Sequence, residues 1–354
     1  MIINFLIIIQ GVKLQVTTYK KISDVEKLWN KLYKSSMEMS FFQSFEWNVA
    51  LEDNFYGKKE QYKGRKLLYV VFDECLILPL VINQRKKEIT LLGHGESSDY
   101  LSFIYGEYNS KIFAEAILYV LDKFSKYKFI LDKINQSNPL ANMLQDGIDS
   151  IKITEMEKEC VYVPTNNGST SFYESLSKSA RQNYRTAKNR LKKDGHTYQV
   201  ETEVGKINNE REQQLYELYR ARRDDCDSRS NLSKIIKKPL KVIVDFVLHK
   251  TSTDLLSYYA QRENVFLSEV YIDGEIAAFC EGNYNNREDV ISIARVATNS
   301  KYYIYSPGQI LLIETIERIR NSVAYLDLTR GSEDYKFRLG GIRHINNCFT
   351  LEKI

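Results

Sequence analysis

The stretch YSPGQILLIETIERIR, residues 305–320, decides the predicted architecture. Pro307 and Gly308 mark the first turn of a helix, and apolar residues then recur at helical spacing as far as Ile319. DVISIARVAT (289–298) before it and AYLDL (324–328) after it are predicted strands. A loop that leads from a strand into a helix leaves free main-chain N–H groups, which can hold a pyrophosphate. Pro-Gly also begins ordinary helices, so the loop alone does not establish a ligand site.

The surrounding sequence predicts an α+β fold. NVFLSEVYI (264–272) and EIAAFCEGNY (275–284) form a predicted hairpin through Asp273-Gly274, and helices are predicted over 208–225 and 239–250. A further strand is predicted over 254–262. The N-terminal half repeats this order of hairpin, strand, helix and strand between residues 66 and 134. We therefore predict two domains of one kind, with mixed, mostly antiparallel sheets flanked by helices: an N-terminal domain over 1–165, a basic linking helix over 170–195 and a C-terminal domain over 196–354.

Composition narrows the class of protein. The 354 residues, 43% hydrophobic and 27% charged, are typical of a soluble globular protein with two cores. Five cysteines and four histidines are scattered without a C-x-x-C pair, so we expect no metal site, no disulfide framework and a cytoplasmic location. The apolar start MIINFLIIIQG (1–11) is too short to span a bilayer. It is interpreted as an extra strand or as residues upstream of the true start, and stable membrane insertion is not expected.

The positive charge is concentrated in one segment. The net charge is +4, and residues 169–194 hold seven cations against Glu174 and Asp194, while the rest of the chain is nearly neutral. A nucleic-acid-binding protein normally has a broader basic surface, so no nucleic-acid partner is expected.

The spacing within this segment predicts an amphipathic helix. Ala180, Tyr184, Ala187 and Leu191 form its apolar stripe, and a row of cations lies about 100° around the helix. Cations beside a packed face suit the wall of a cleft that holds phosphates, although an ordinary solvated face is the alternative. The predicted phosphate-binding residues are Arg181, Arg185 and Lys188.

Four stretches together resemble the CelD-like branch of the GNAT acyltransferase superfamily, which is associated with polysaccharide biosynthesis and related to Fem-type transferases. They are LSKSARQNYRTAKNRLKKDG, YIDGEIAAFCEGNYNN, YSPGQILLIETIERI and YLDLTRGSEDYKFRLGG, between residues 176 and 341. The resemblance implies tandem GNAT-like domains with ligands at their interface. It also implies transfer of an acyl group from acyl-CoA to an amine, with acyl-CoA as co-substrate and no metal.

The resemblance assigns residues on the acyl-CoA side. The implied pyrophosphate loop comprises Tyr305, Ser306, Pro307, Gly308 and Gln309. The implied neighbours of the pantetheine arm are Arg295 and Val296, and Tyr335 is the implied proton donor to the thiolate. The implied phosphate- and substrate-binding residues after the last strand are Arg330, Glu333 and Lys336, although an internal salt-bridge network is the alternative.

The stretch GHGESSDY (93–100) supplies the predicted base. Asp99 and His94 are its strong proton acceptors besides Glu96, and Asp99 is placed first because it resembles an Asp in the N-terminal domain of the family. Asp99 can equally cap a turn, and a substrate amine can also lose its proton to solvent.

The expected acceptor is an amino sugar, carried on a nucleotide diphosphate, in surface polysaccharide biosynthesis. One alternative is a Fem-like transfer from aminoacyl-tRNA to a peptidoglycan precursor. Another is a non-catalytic nucleic-acid binder that uses the basic helix. The sequence leaves the acyl chain and the oligomeric state open.

Overall fold

The computed structural model describes residues 3–9, 12–36, 38–53, 64–95, 98–166, 168–229, 262–285 and 289–354. The chain divides into two compact units, one of Met1–Glu159 with His344–Ile354 and one of Cys160–Arg343. These bounds differ from the predicted ones in three places: residues 160–165 and the basic helix lie inside the second unit, and the last strand belongs mostly to the first. Among the described residues, no helix is both long enough and apolar enough to cross a membrane.

Strands and helices are numbered here along the chain. The strands are β1 (Ile3–Ile9), β2 (Val12–Tyr19), β3 (Arg65–Phe72), β4 (Leu76–Asn83), β5 (Glu88–Leu91), β6 (Ile104–Tyr105), β7 (Lys128–Asn135), β8 (Ile151–Pro164), β9 (Tyr198–Val204), β10 (Val265–Ile272), β11 (Glu275–Asn285), β12 (Val290–Thr298), β13 (Tyr325–Arg330) and β14 (Ile342–Lys353). The helices are α1 (Glu26–Ser35), α2 (Phe45–Leu51), α3 (Ser110–Lys123), α4 (Pro139–Asp146), α5 (Phe172–Ser175), α6 (Lys178–Lys193), α7 (Asn209–Arg229), α8 (Pro307–Ile319) and α9 (Asp334–Arg338).

The first unit contains an antiparallel ladder from β1 to β5. The chain then crosses through α3, and β7 pairs in parallel with β5. Residues 3–9 pair with β2, which confirms that the apolar start forms a strand.

The second unit repeats this order. Strands β9 to β12 form an antiparallel ladder, and the predicted hairpin of β10 and β11 is confirmed. Its turn has positive φ at both Asp273 (50°) and Gly274 (82°), as a two-residue hairpin turn requires. Helix α8 connects β12 to a parallel β13. The α+β class, with mostly antiparallel sheet flanked by helices, is confirmed.

The apolar stripe of the basic helix is buried as predicted. Ala180, Ala187 and Leu191 are each no more than 2% exposed and join a core with the apolar face of α8. The helix predicted over 208–225 is confirmed as α7. The helix predicted over 239–250, and nearly all of the strand predicted over 254–262, lie outside the described residues.

Candidate functional site

Strand β12 separates from its parallel neighbour near the middle of the second unit. The two strands pair only from Val290 to Ser292 against Tyr325 to Asp327. A bulge in β12 follows, because Glu281 pairs with Arg295 whereas Gly282 pairs with Ile293, which leaves Ala294 as the extra residue. The main chain of β12 beyond Ser292 therefore has no ladder partner on the β13 side among the described residues.

Gly282 makes this bulge possible. A side chain at this position would clash with the main chain of Ser292 and Ile293 on the neighbouring strand. Close approach of two backbones is a requirement that only glycine meets without displacement.

A cavity of about 380 Å³ lies beside this part of β12. It is bounded by β12, the start of α8, one flank of α6, and α9, with one residue from α7. The lining residues are Ala180, Asn183, Arg222, Val296, Thr298, Tyr303, Ser306, Pro307, Gly308, Gln309, Leu312, Tyr335, Arg338 and Leu339.

The N-terminus of α8 faces this cavity without a side-chain cap. Ser306 adopts a left-handed conformation (φ 49°, ψ 50°), and its hydroxyl makes no capping hydrogen bond. Its carbonyl accepts from the N–H groups of Gln309 (3.0 Å) and Ile310 (3.3 Å), and Pro307 has no N–H. The Gly308 N–H has no main-chain acceptor among the described residues. The positive end of the helix dipole and this N–H together favour an anion.

Space at Gly308 is limited. A Cβ added there would lie 3.1 Å from Thr298 Oγ1, so any larger residue would crowd the cavity wall. Gln309 is held in place, since its side-chain amide donates to the Ala180 carbonyl at 3.3 Å. Helix α6 thus contacts the start of α8 through the Ala180 carbonyl, and Asn183 lines the cavity beside it.

The structure brings most of the sequence-predicted loop residues to the cavity. Val296, Ser306, Pro307, Gly308, Gln309 and Tyr335 all line it. Tyr305 does not line it, because its side chain is 7% exposed and its hydroxyl donates to Asp194 at 3.0 Å. Its ring packs against His196 instead, with 5.2 Å between ring centroids.

Arg295 lies on the opposite side of the sheet from Val296. It is 4% exposed, its guanidinium donates to Glu281, and Glu212 lies 3.9 Å away. The bulge at Ala294 causes this placement, because one extra residue in a strand moves the next side chain to the other face. The Arg295 side chain therefore forms a buried ion pair with Glu281 and does not line the cavity.

Lys336 is likewise part of an internal network. The side chain is 2% exposed, and Nζ lies 3.0 Å from the Glu333 carboxylate. Burial alone would raise the pKa of Glu333. The hydrogen bond from the main-chain N–H of Glu333 and the neighbouring Lys336 ammonium outweigh burial, so this pKa lies below its usual value. Neither residue lines the cavity, and the same is true of Arg330. The Lys336 Nζ also donates to three main-chain carbonyls, those of Leu328 (2.9 Å) and Arg330 (2.7 Å) in β13 and that of Gly331 (3.1 Å) after it.

Tyr335, the predicted proton donor, lines the cavity, as does Tyr303. Tyr335 is 40% exposed, and burial together with the charge of Glu333 raises its pKa to about 12, against the opposing effect of Arg222. The hydroxyl therefore keeps its proton at neutral pH and can donate it.

Arg222 of α7 is a cavity residue that sequence reasoning missed. Its Nη1 donates to the carbonyl of Val296, which lies in the part of β12 that does not pair with β13. About 75 residues separate the two positions, and no motif in the sequence connects them. Asn183, Thr298 and Arg338 also line the cavity and were not predicted, although each lies in a stretch that the sequence analysis singled out.

Three cations of α6 that were predicted to bind phosphate have other contacts in the structure. Arg185 stacks over the Tyr173 ring at 5.7 Å, and Lys188 lies 3.6 Å from Glu314. Arg181 Nη1 donates to the Glu174 carbonyl at 2.7 Å. None of these three predicted phosphate-binding residues lines the cavity, whereas Arg190 reaches its loop and donates to the Ile304 carbonyl at 3.0 Å.

The two predicted bases belong to the first unit, whereas every lining residue of the cavity belongs to the second. Asp99 is 5% exposed, with Oδ1 3.9 Å from the ammonium of Lys133. His94 Nδ1 lies 3.5 Å from Asp132. Burial lowers the pKa of His94, although Asp132 opposes it, so the imidazole is neutral at pH 7.

Comparison with known proteins identifies the fold of this region. Residues 178–337 match the family profile of the acetyltransferase (GNAT) domain. They form a GNAT acetyltransferase domain. The match begins at the first residue of α6 and ends within α9, so it includes every lining residue of the cavity except Arg338 and Leu339. The protein is accordingly an acyltransferase.

Solved structures with the same fold cover nearly the whole chain. FemX matches with a TM-score of 0.57 at 10% identity, over 94% of this chain and 96% of FemX. L-PGS from Bacillus licheniformis matches with a TM-score of 0.51 at 13% identity, over 92% and 90%. A tandem GNAT protein from the clavulanic acid biosynthesis pathway matches with a TM-score of 0.50 at 11% identity, over 96% and 98%. No curated protein matches the chain.

Proposed function

We propose that the second-unit cavity binds acyl-CoA and that the protein transfers the acyl group to an amine. The observation that carries this proposal is the uncapped N-terminus of α8, which faces a cavity beside the unpaired part of β12. The pyrophosphate would bind at Ser306–Gln309, where the helix dipole and the Gly308 N–H favour negative charge. The pantetheine arm would lie along Val296.

In the proposed reaction the amine nitrogen forms a bond to the thioester carbonyl carbon and the carbon–sulfur bond breaks. The Tyr335 hydroxyl gives its proton to the departing thiolate, so that CoA leaves as the thiol, and the Tyr335 phenolate then regains a proton from solvent. The amine releases protons to a base or to solvent, and Asp99 and His94 are proposed for this role from the family resemblance.

The proposed acceptor is an amino sugar, linked to a nucleotide diphosphate, within the CelD-like setting of surface polysaccharide biosynthesis. The support is the resemblance of the four sequence stretches quoted above. The cavity is not lined by Arg181, Arg185 or Lys188, so we do not propose that they bind the phosphates of CoA. We propose that they bind the phosphates of the acceptor.

A crossed thermal-shift panel tests this function. Acyl-CoAs are combined with nucleotide-linked amino sugars, and one pair is expected to raise the melting temperature more than the two compounds do singly. Failure of every acyl-CoA to bind by calorimetry would overturn the proposal. Tight binding of tRNA or DNA at physiological salt would instead favour the Fem-like or nucleic-acid-binding alternatives.

A further inference from the structure

Ser306, at the N-terminus of α8, has a backbone conformation that depends on its surroundings. Its φ of 49° and ψ of 50° lie in the left-handed region, where a residue with a side chain is strained and persists only if neighbouring contacts hold it. By contrast, negative φ and a capping side chain are found at the N-caps Ser44, Asn109, Asn138, Ser171 and Ser177. Ser306 lies two residues before Gly308, so its conformation affects the direction of the Gly308 N–H.

Tyr305, the residue directly before Ser306, is fixed by two contacts. Its hydroxyl donates to Asp194 Oδ2 at 3.0 Å, just after the end of α6. Its ring meets the His196 ring edge to face, with 5.2 Å between centroids and 72° between planes. The Tyr305 side chain is 7% exposed and belongs to the apolar core of the second unit. We call Asp194, His196 and Tyr305 the Tyr305 cluster.

The partners of Tyr305 are themselves attached to the turn between β10 and β11. His196 Nδ1 lies 2.5 Å from Asp273 Oδ2. The other carboxylate oxygen of Asp273 accepts from the N–H of Thr197 at 2.9 Å and from its hydroxyl at 3.1 Å. Residues 194–197 therefore give Tyr305 a support that is held by the hairpin.

The position of Asp194 indicates that it serves this contact. It follows the last residue of α6, where the negative end of the helix dipole disfavours a carboxylate. The stability of α6 alone would favour a neutral or basic residue there. The hydrogen bond from Tyr305 gives the carboxylate a reason to be present.

We propose that Tyr305 is a positioning residue of the donor site. The Tyr305 cluster holds Ser306 in the left-handed conformation, and this conformation directs the Gly308 N–H toward the pyrophosphate of acyl-CoA. Tyr305 acts through Ser306, since it does not line the cavity. This inference rests on the proposed function, because it concerns the same anion site. It also explains how a serine can occupy a position whose conformation only glycine adopts without strain.

Calorimetric titration of the full-length protein with acetyl-CoA tests the contact. Tyr305→Phe keeps the ring and removes the hydroxyl, so Ser306 can relax and acetyl-CoA affinity should fall about tenfold. Asp194→Ala removes the other partner and should cause a similar loss. The double variant should lie within about twofold of either single variant, because both changes remove one and the same hydrogen bond.

Tyr302→Phe is the matched control. Tyr302 lies in the same short 3-10 helix, Ser300–Tyr305, is 5% exposed and donates its hydroxyl to Glu275 at 2.7 Å. It loses the same kind of hydrogen bond, so its melting temperature should fall about as much as that of Tyr305→Phe. Its acetyl-CoA affinity should stay within about twofold of the wild type, because the lost bond does not adjoin Ser306.

Ser306→Gly distinguishes positioning from a merely structural role. Glycine adopts positive φ without strain, so Ser306→Gly added to Tyr305→Phe should restore acetyl-CoA affinity to within about threefold of the wild type. The melting temperature should remain low, because the hydroxyl contact with Asp194 is still absent. A role of Tyr305 in stability alone predicts no recovery of affinity.

Three outcomes would overturn the inference: wild-type affinity in both Tyr305→Phe and Asp194→Ala, equal losses in Tyr302→Phe and Tyr305→Phe, or no recovery with Ser306→Gly. Asp194 is exposed, so Asp194→Ala tests the same contact even if Tyr305→Phe does not fold. Absence of acetyl-CoA binding in the wild type would contradict the proposed function instead.

Discussion

The two units contain the same strand–helix–strand crossover but start its helix in different ways. In the first unit β5, α3 and β7 form this crossover, and in the second β12, α8 and β13 do. Helix α3 begins at Asn109, whose side-chain oxygen accepts from the Ile112 N–H at 3.2 Å. Helix α8 begins at Ser306, whose side chain caps nothing.

This difference separates a structural helix end from a ligand-binding one. At a capped N-terminus, a side chain of the same protein accepts a hydrogen bond from one of the first main-chain N–H groups. At an uncapped N-terminus, that N–H group can donate to a bound anion. The second unit adds the bulge and the early separation of β12 from β13, which leave room for a ligand. One crossover therefore stabilises its unit, and the other is the proposed donor site.

The largest expected effect comes from a negative charge at the second position of α8. Gly308→Asp should lower acetyl-CoA affinity at least about 100-fold, because a carboxylate would occupy the anion site and repel the pyrophosphate. An acidic residue is favourable in the first helical turn, so folding should be retained. Calorimetric titration measures the affinity.

Lys111→Asp is the matched control for this variant. It places the same carboxylate at the second position of α3, where Lys111 is exposed. Acetyl-CoA affinity should stay at the wild-type value. Equal losses in the two variants would mean that the helix starts do not differ in function.

Removal of the proposed proton donor, Tyr335, should have the next largest effect. Tyr335→Phe is expected to lower kcat about 10- to 100-fold with little change in the KM for acyl-CoA, because only the departing thiolate needs the hydroxyl. Since the pKa of Tyr335 is raised to about 12, this step should lose no activity from deprotonation of Tyr335 up to about pH 10. Steady-state rates across pH check both statements, and an unchanged kcat would remove Tyr335 from the chemistry.

Removal of a helix cap should lower the stability of the protein more in the first unit than in the second. Asn109→Ala removes a helix cap and should lower the free energy of unfolding by about 1 kcal/mol, whereas Ser306→Ala should cost less because no capping bond is lost. Urea unfolding of both variants measures the difference. A larger cost for Ser306→Ala would reverse the comparison.

The smallest expected effect is a pH dependence at His94. Its pKa in the folded protein lies below the unfolded value of 6.5, so below about pH 6.5 the unfolded chain binds the proton first. The contribution of His94 to stability is therefore present above that pH and declines as pH falls toward the folded pKa. His94→Gln should flatten the loss of melting temperature between pH 7 and 5, and an unchanged slope would assign that loss to other groups.

Much of the second unit could be predicted from the sequence. Periodicity and turn chemistry predicted α6, α8 and the hairpin of β10 and β11, because burial of one face leaves a regular pattern. The apolar stripe of α6 was also predicted correctly. The spacing could not show which flank of α6 meets a ligand, since that depends on the neighbouring elements, and Arg181, Arg185 and Lys188 do not line the cavity.

Other features depend on backbone detail that no residue pattern carries. Arg295 and Val296 were expected to serve one ligand, but neighbouring residues of a strand point to opposite faces, and the bulge at Ala294 determines that Val296 is the one on the cavity side. The ammonium of Lys336 donates to main-chain carbonyls of β13, so a cation that was predicted to bind phosphate has a structural role. Arg222 reaches the cavity across a long sequence separation, which a single sequence does not reveal.

Hydrogen exchange with and without acetyl-CoA tests the central claim most directly. We expect acetyl-CoA to slow exchange at the start of α8, including the Gly308 N–H, and along residues 293–298 of β12. Residues 110–113 at the start of α3 should exchange at the same rate in both states. Protection at α3, or none at α8, would contradict the assignment of the donor site to the uncapped helix.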